Sequence, residues 1–363
     1  MEQDNKIRVG ITHGDINGVG YEVLLKVMSD TRIAELCTPV IYGSAKIAGF
    51  YRKSMELPEF KLFQIDSPDR AAADQINIIN VVGEDCKVEP GQATPVAGKA
   101  ALAALERATS DLRDGLIDVL VTAPINKHAI HSDEFDFPGH TEYLQDRIGD
   151  GHKAMMIMCA GGLRVALVTI HEPIEKVAPL LTVKGIVEKL IAFNRSLVSD
   201  FGIHGPRIAV LALNPHAGDA GLIGSEETEI IAPAIEEASK RKILAFGPYS
   251  ADGFFASGAY RKFDGILAMY HDQGLIPFKL LAGETGVNFT AGLPYVRTSP
   301  DHGTAYDIAG QGKADEQSMR EAIYAAIDIY RNRKREAEAT ANPLRHQNYD
   351  KGSDKLPAEK NVN

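Results

Sequence analysis

Residues 164–171 have the sequence Arg-Val-Ala-Leu-Val-Thr-Ile-His, and two later stretches repeat this pattern of an apolar run that ends in a histidine. Residues 207–216 end in His216, and residues 265–271 end in His271. Short runs rich in Val, Ile and Leu are typical of buried parallel strands. Because ligands in open α/β sheets bind beyond the carboxyl ends of the strands, the three runs predict an α/β fold with histidines at its ligand-binding edge.

Three imidazoles at one edge of a sheet are candidates for a shared divalent metal. Three protein ligands with open positions are the pattern of a catalytic metal site rather than a structural one. The alternative is that each histidine caps a loop or binds a backbone carbonyl, which is the commoner role for any single one of them. Since all three occupy the same kind of position, we expect His171, His216 and His271 to bind one metal ion.

Composition excludes several classes of protein. The chain has 363 residues, 44% hydrophobic and 24% charged, as in ordinary globular proteins of one or two lobes. A net charge of -10 disfavours nucleic acid as a partner. The three cysteines form no disulfide framework or zinc motif, and we find neither a signal-peptide pattern nor an apolar run long enough for a membrane span. We therefore expect a cytoplasmic protein that contacts neither nucleic acid nor membrane.

Strand and helix patterns alternate along the chain. Predicted strands comprise residues 6–12, 39–43, 75–82, 119–122, 155–159 and 165–170. Predicted helices comprise residues 21–28, 45–55, 98–112, 143–147, 184–201, 226–241 and 318–338. This alternation predicts a three-layer αβα fold with a largely parallel sheet. Residues 339–363 are polar and lack periodicity, which predicts a disordered tail.

Three glycine-containing stretches are candidates for ligand contact. Residues 14–20 do not match the Rossmann dinucleotide fingerprint, so a tight strand-to-helix turn is the favoured interpretation. Residues 297–305 combine a guanidinium, hydroxyls and glycine, which suits a phosphate or carboxylate, and the alternative is a solvated surface loop. Residues 139–142 precede a predicted helix whose N-terminus favours anions, although a helix cap is the commoner use of Thr141.

Seven motifs resemble those of the 4-hydroxythreonine-4-phosphate dehydrogenase family of pyridoxal phosphate biosynthesis. They are, in the family's order, residues 121–127, 139–142, 168–171, 213–218, 270–274, 286–294 and 297–305. The resemblance spans residues 7–335. The chain departs from the family's pattern at His13 and Tyr21, where the family usually has proline, and at residues 220–224, where Gly-Gly-His-Met-Gly is usual.

The resemblance implies a fold and an assembly. The fold would be similar to that of isocitrate and isopropylmalate dehydrogenases, with two lobes and the active site in the cleft between them. We expect a cofactor-side lobe of residues 1–135 plus 300–338, and a lobe of residues 136–299 for metal, substrate and dimerisation. Family members are homodimers whose metal site is shared across the interface.

The resemblance also implies roles for individual residues. One divalent metal (Zn, Mg or Co) is held by the three histidines already named. Implied substrate contacts are His140, Thr141, Lys279, Asn288 and Arg297. Candidates for proton transfer are Asp252, Asp272 and Lys279, and a solvated loop carboxylate is the alternative for each aspartate. Residues 302–310 resemble a dinucleotide loop, which implies contacts to NAD or NADP from His302, Gly303, Thr304, Ala305 and Asp307.

The implied reaction oxidises 4-phosphooxy-L-threonine at C3 and then decarboxylates it to 3-amino-2-oxopropyl phosphate. A metal would lower the pKa of the C3 hydroxyl and stabilise charge on the same oxygen during decarboxylation. Alternatives are a dehydrogenase of D-threonate or D-erythronate 4-phosphate, a phosphate acyltransferase, and a non-catalytic phospho-ligand or metal-binding protein. The acyltransferase needs no set of three metal-binding histidines. The sequence leaves open the native metal, the preference between NAD and NADP, and the residue that moves the proton.

Overall fold

A computed structural model describes residues 6–83, 85–132 and 135–342. Its strands are β1 (Arg8–Thr12), β2 (Thr38–Gly43), β3 (Leu62–Ile65), β4 (Ile76–Asn80), β5 (Val119–Thr122), β6 (Met155–Ala160), β7 (Leu163–Leu167), β8 (Arg207–Leu211), β9 (Leu244–Tyr249), β10 (Gly265–Ala268), β11 (Val287–Ala291) and β12 (Val296–Pro300). Its α-helices are α1 (Gly20–Ser29), α2 (Ile33–Leu36), α3 (Ala45–Ser54), α4 (Pro95–Arg113), α5 (Lys127–Ile130), α6 (His140–Ile148), α7 (Ile174–Leu180), α8 (Val183–Ser199), α9 (Ala232–Lys240), α10 (Ala251–Ala256), α11 (His271–Ala282) and α12 (Gln317–Ala341).

The strands form one mixed sheet in the order β3-β4-β2-β1-β5-β12-β11-β6-β7-β10-β8-β9. Parallel pairings join β3 through β12 on one side and β7, β10, β8 and β9 on the other. The pairings between β12, β11, β6 and β7 are antiparallel, so the two parallel halves run in opposite directions. The largely parallel α/β sheet is confirmed, and so is the predicted adjacency of β6 and β7, which form a hairpin.

The apolar core is continuous on one face of the sheet and interrupted on the other. On the first face α1, α8, α9 and α12 cover residues of both halves. On the opposite face α4 and α6 cover a cluster over the first half, whereas α10 and α11 cover a separate cluster over the second half. In the central strands β5, β11 and β12, Thr122, Thr290 and Arg297 alternate with residues that belong to the first core. Because successive side chains of a strand point to opposite faces, these three polar side chains lie on the interrupted face. This polar gap is where the candidate site begins.

Four strands were not predicted, namely β3, β9, β11 and β12. β12 lacks a run of apolar residues, yet all five of its residues are buried. The alternative interpretation of residues 297–305 as a solvated surface loop is therefore wrong for residues 297–300. The last helix ends at Ala341 rather than near residue 338. The rest of the predicted tail, residues 343–363, lies outside the described residues, and the boundaries of the two lobes stay a prediction.

The first glycine stretch is a tight turn between β1 and α1. Gly14 has a φ of +70°, and a Cβ there would lie 2.3 Å from the carbonyl oxygen of Pro124. The side chains of residues 13–20 are buried, which confirms the turn interpretation. The two residues that depart from the family's pattern contact each other, because the rings of His13 and Tyr21 stack with centroids 5.1 Å apart. Burial lowers the pKa of His13 to about 4.

None of the helices in the described part of the chain combines the length and apolarity that crossing a bilayer requires.

Candidate active site

The three predicted histidines follow three neighbouring strands. β7, β10 and β8 are adjacent and parallel, so their carboxyl ends lie at the same edge of the sheet, as predicted. The rings of His171 and His271 lie 6.1 Å apart, and both line a cavity of about 330 Å³. No three His, Cys, Asp or Glu side chains in the described ranges are grouped closely enough to hold a metal. The resemblance implies a metal site shared between two chains, so the binding of one ion by His171, His216 and His271 stays a prediction.

His216 lies in a tightly turning loop after β8 and is not among the residues that line the cavity beside His171 and His271. Residues 216–220 all have positive φ, a left-handed conformation that is costly for residues other than glycine. Such a turn is kept only where surrounding contacts over-determine it. His216 itself is exposed. The sequence motif gave no sign of this turn, because only one of its five residues is a glycine.

Glu227 anchors the start of this loop from inside the protein. Its Oε1 accepts hydrogen bonds from the backbone N–H groups of Leu213 (2.8 Å) and Asn214 (2.7 Å). Its Oε2 accepts a third from the Asn214 side chain (3.0 Å). Glu227 is 3% exposed and begins a single π-type turn, a rare element that is frequent at functional sites. The buried carboxylate thus fixes the two residues from which the His216 loop departs.

Replacing Glu227 by alanine is expected to loosen this loop. The backbone N–H groups of Leu213 and Asn214 lose their acceptor, and each unsatisfied donor costs about 1–3 kcal/mol. We expect the free energy of unfolding to fall by about 2 kcal/mol or more, with faster amide hydrogen exchange at residues 213 and 214. Glu229→Ala, an exposed neighbour on the same turn, is the control and should change neither quantity. Unchanged exchange in Glu227→Ala would show that other contacts hold the loop.

The ends of β10 and β8 are tied together by the side chain of Gln273. Its Oε1 accepts a hydrogen bond from the N–H of Met269 (2.7 Å), and its Nε2 donates to the carbonyl of Ala212 (2.6 Å). The hydroxyl of Thr169 donates to the carbonyl of Met269 (2.8 Å). These bonds hold the three strand ends in register beneath the histidines. Gln273 lies in a recognised motif, yet sequence reasoning did not single it out.

Each predicted aspartate stands beside one of the histidines. Asp272 Oδ1 lies 2.7 Å from His271 Nδ1, a contact that fixes the imidazole and leaves Nε2 for a ligand. Asp252 accepts a hydrogen bond from Ser250, which together with nearby His216 holds the pKa of Asp252 below its usual value. The imidazoles of His171 and His271, open to a cavity and with one ring already oriented, suit a divalent metal that a further ligand completes.

Arg297 is a buried cation without a paired carboxylate. The residue is 3% exposed, and its guanidinium donates to the hydroxyls of Thr122 (3.1 Å) and Thr290 (3.1 Å). No carboxylate among the described residues forms an ion pair with it, and burial lowers its pKa to about 9. A buried charge is normally paired or bound to a ligand. An anion is the natural partner for this arginine.

Two further predicted substrate contacts have buried polar atoms without partners. These atoms are His140 Nε2 and Asn288 Oδ1, which have no hydrogen bond within the described part of the chain. Buried polar atoms without a hydrogen-bond partner are rare in native proteins, so each of these two atoms is a candidate for contact with a ligand. Burial, together with the charges of Arg297 and Lys127, holds the pKa of His140 well below its usual value. Helix α6 begins at His140 with Gly139 at its N-cap, so the interpretation of Thr141 as the helix cap is wrong.

Lys127 and Glu142 link the anion-binding residues to the histidines, and sequence reasoning did not select either of them. Burial lowers the pKa of His171, the Lys127 ammonium lowers it further, and the Glu142 carboxylate opposes both effects. The same Glu142 opposes the burial effect on Arg297. Both residues lie inside the recognised motifs, which was the available signal. A lowered pKa favours the neutral imidazole, which is the form that ligates metals.

The predicted cofactor loop packs against the first glycine turn. Val19 N–H donates to the carbonyl of Thr304 (3.0 Å), and the hydroxyl of Tyr306 donates to Asp15 (2.7 Å). Gly303 and Asp307 are exposed, whereas His302 has a buried Nε2 without a partner among the described residues. This loop follows the carboxyl end of β12, which is parallel to β5. Its contact with a dinucleotide stays a prediction.

Comparison with known proteins gives a consistent set of relatives. The family profile of pyridoxal phosphate biosynthetic protein PdxA matches residues 35–326. A 4-hydroxythreonine-4-phosphate dehydrogenase of Bacteroides thetaiotaomicron is 58% identical over 98% of both chains. The crystal structure of a protein of that name from Klebsiella pneumoniae is 34% identical, covers 91% of this chain and 99% of its own, and has a TM-score of 0.79. A D-threonate 4-phosphate dehydrogenase of Cupriavidus necator is 39% identical over 88% of this chain and 96% of its own.

Proposed function

The chain belongs to the family of pyridoxal phosphate biosynthetic proteins, and we propose that it oxidises 4-phosphooxy-L-threonine at C3 with NAD or NADP and decarboxylates the product to 3-amino-2-oxopropyl phosphate. It is a dehydrogenase of pyridoxal phosphate biosynthesis. Membership of this family implies a bound divalent metal and a nicotinamide cofactor. Their identity, and the location of the protein in the cytoplasm, stay predictions.

The observation that carries this proposal is the polar gap in the core. Arg297 is buried there without a carboxylate, and His140 and Asn288 offer buried polar atoms without partners among the described residues. A phosphorylated hydroxy amino acid supplies the anionic and hydrogen-bonding groups that these side chains lack. Arg297 suits a phosphate or carboxylate because its planar fork binds two oxygens at once. The site therefore favours an anionic substrate that also carries hydrogen-bonding groups.

Different residues of the chain would bind the substrate, hold the metal and transfer the proton. Arg297, His140, Thr141, Asn288 and Lys279 would bind and orient the substrate. His171, His216 and His271 would hold the metal, which when bound acts as a Lewis acid that eases proton loss from a hydroxyl and stabilises charge on oxygen. Asp252, Asp272 or Lys279 in its neutral form would accept the hydroxyl proton, and the nicotinamide cofactor, when bound, would supply the acceptor for the hydride from C3. Loss of CO2 from the resulting β-keto acid would leave an enolate, and a proton added at C2 would then give the amino ketone.

Formation of NADH or NADPH tests this function directly. Purified protein is mixed with 4-phosphooxy-L-threonine, divalent metal and either cofactor, and absorbance of the reduced cofactor is followed. We expect metal-dependent reduction that a chelator abolishes and added metal restores. Reduction of neither cofactor with any phosphorylated four-carbon hydroxy acid, despite measurable ligand binding, would favour the non-catalytic binding protein. Phosphate-dependent acyl transfer without cofactor reduction would favour the acyltransferase.

A second candidate substrate is D-threonate 4-phosphate. The relative from Cupriavidus necator bears that name and is 39% identical to this chain. The two substrates differ at C2, where one carries an amine and the other a hydroxyl. Comparing kcat/KM for both, and for D-erythronate 4-phosphate, decides between them. A higher kcat/KM for 4-phosphooxy-L-threonine is expected, because the more similar relative from Bacteroides thetaiotaomicron carries the corresponding name.

We also propose that the active form is a homodimer whose metal site is shared between chains. Each of the three histidine-bearing segments carries a large exposed apolar residue, namely Ile174 (71% exposed), Leu222 (82%) and Leu280 (81%). Large exposed apolar residues mark an interaction surface where they form a contiguous patch. A two-fold contact through these segments would bring histidines of two chains together. It would also account for the absence of a complete ligand set within the described residues of one chain.

Mixing inactive variants tests the shared site. Three variants are made, each with one of His171, His216 and His271 replaced by alanine, and they are mixed in pairs under conditions that allow subunit exchange. If two ligands come from one chain and the third from its partner, two of the three mixtures regain activity, up to about a quarter of wild type, since half the dimers are mixed and each repairs one of its two sites. The mixture that stays inactive identifies the two ligands of the same chain. No recovery in any mixture, with exchange verified by mass spectrometry, would mean that each site is built within one chain.

A further inference from the structure

Asp301 makes two contacts with the ammonium group of Lys279. Its Oδ1 lies 3.1 Å from Lys279 Nζ, and its backbone carbonyl accepts a hydrogen bond from the same nitrogen (3.2 Å). The Lys279 side chain is 54% exposed, whereas the Asp301 side chain is 19% exposed. A long exposed lysine normally samples many rotamers. Here a more rigid neighbour holds its end in one place.

Asp301 is itself fixed by a chain of hydrogen bonds. Its backbone N–H donates to the hydroxyl of Ser318 (3.0 Å) at the start of α12, and that hydroxyl donates to the carbonyl of Gly286 (2.7 Å) before β11. Ser318 is buried, so these bonds are shielded from water. A Cβ on Gly286 would lie 3.0 Å from Asp301 Oδ2, which shows how closely the backbone packs against the carboxylate. The carboxylate therefore has little freedom to move.

A partly buried carboxylate close to an anion-binding group costs free energy, because burial disfavours its charge, unless a nearby cation compensates. Burial raises the pKa of Asp301, and the ammonium of Lys279 opposes this shift. Two of the three N–H groups of an ammonium are used by Asp301, and one is left for another acceptor. Among the described residues, the Asp301 carboxylate forms an ion pair only with Lys279. Its contribution to binding would therefore act through the lysine.

We propose that Asp301 is a positioning residue that holds the Lys279 ammonium where the anionic group of the substrate binds. This inference rests on the proposed role of Lys279 as a substrate contact. Because the lysine is already held before the substrate binds, binding does not incur the entropic cost of ordering its side chain. Neither the predicted site residues nor the family's motif roles include Asp301 among the binding groups.

Steady-state kinetics of Asp301→Ala test the proposal. We expect the KM for the phosphorylated substrate to rise about three- to tenfold, the cost of immobilising one long side chain, with kcat and the KM for the nicotinamide cofactor nearly unchanged. Asp301→Asn keeps one acceptor and should fall between wild type and Asp301→Ala. In a Lys279→Ala background, Asp301→Ala should add nothing. Asp66→Ala, which removes the exposed ion pair with Arg70, is the matched control and should not change KM.

Three results would overturn the proposal: an unchanged substrate KM in Asp301→Ala, an equal rise in the Lys279→Ala background, or an equal rise in the cofactor KM. If Asp301→Ala does not fold, Asp301→Asn carries the same comparison. Calorimetric titration of the apoprotein with inorganic phosphate needs no turnover. The positioning role is supported if Asp301→Ala weakens phosphate binding in the wild-type background but not in the Lys279→Ala background. This result would support it even if the wild-type protein reduced no cofactor with the proposed substrate.

Discussion

Replacing His171 by alanine is expected to lower turnover by more than about a hundredfold. Loss of a group that only orients a metal ligand costs about 10–100-fold in metal affinity or activity, and loss of the ligand itself should cost more. The fold should survive, because His171 follows β7 and points into a cavity rather than into the core. Metal content and kcat are measured together on the purified variant. Asp272→Asn, which keeps the imidazole of His271 and disturbs its orientation, should lower the metal content less than His171→Ala does.

His204→Ala is the control for this prediction. His204 is exposed and lies in the connection between α8 and β8, so its loss should change neither metal content nor kcat. Thermal unfolding of all variants separates loss of a ligand from loss of structure. If the His171→Ala protein kept wild-type turnover in the presence of a chelator, the metal-binding role of the histidines would be wrong.

Replacing Arg297 by lysine is expected to raise the KM for the phosphorylated substrate by about tenfold to a hundredfold or more. A hydrogen bond to a charged group contributes about 1.5–3 kcal/mol, and lysine cannot reproduce the two-pronged fork of the guanidinium. The hydroxyls of Thr122 and Thr290, which hold the guanidinium in place, would also lose their fixed donor. The measurement is KM for substrate and for cofactor in the same variant. A raised cofactor KM with an unchanged substrate KM would assign Arg297 to the cofactor instead.

A second substitution at the same site distinguishes binding from structure. Because Arg297 is buried without a carboxylate, Arg297→Met should abolish substrate binding without lowering the thermal midpoint. Arg333→Met is the matched control, because Arg333 Nε lies 2.6 Å from Asp200, which is 2% exposed. Leaving that carboxylate buried and unpaired costs about 3–5 kcal/mol, so this variant should unfold earlier while its KM stays near that of wild type. A lower midpoint in Arg297→Met would assign Arg297 a structural role.

Local sequence patterns were sufficient for much of the fold. Alternating apolar runs and helical periodicity predicted the α/β class, the largely parallel sheet and most of the helices, including α4, α8 and α12. They failed at β12, because a strand that carries Arg297, Thr298 and Ser299 has no apolar run to reveal it. Its residues are buried only because neighbouring strands and α12 cover them. Strand identity there depends on tertiary contacts rather than on composition.

The sequence by itself determined the chemistry that the chain carries: its motifs identified the family, and its apolar runs placed three histidines at the ends of parallel strands. Only the tertiary structure decided how these groups meet. It placed Arg297 in the gap between two clusters of the core, and it brought His171 and His271, but not His216, to one cavity. The physical reason is that sequence patterns report only on neighbouring residues of the chain. Periodicity reports which way a side chain points from its own strand, whereas contacts between residues more than a hundred positions apart depend on the order and direction of all twelve strands.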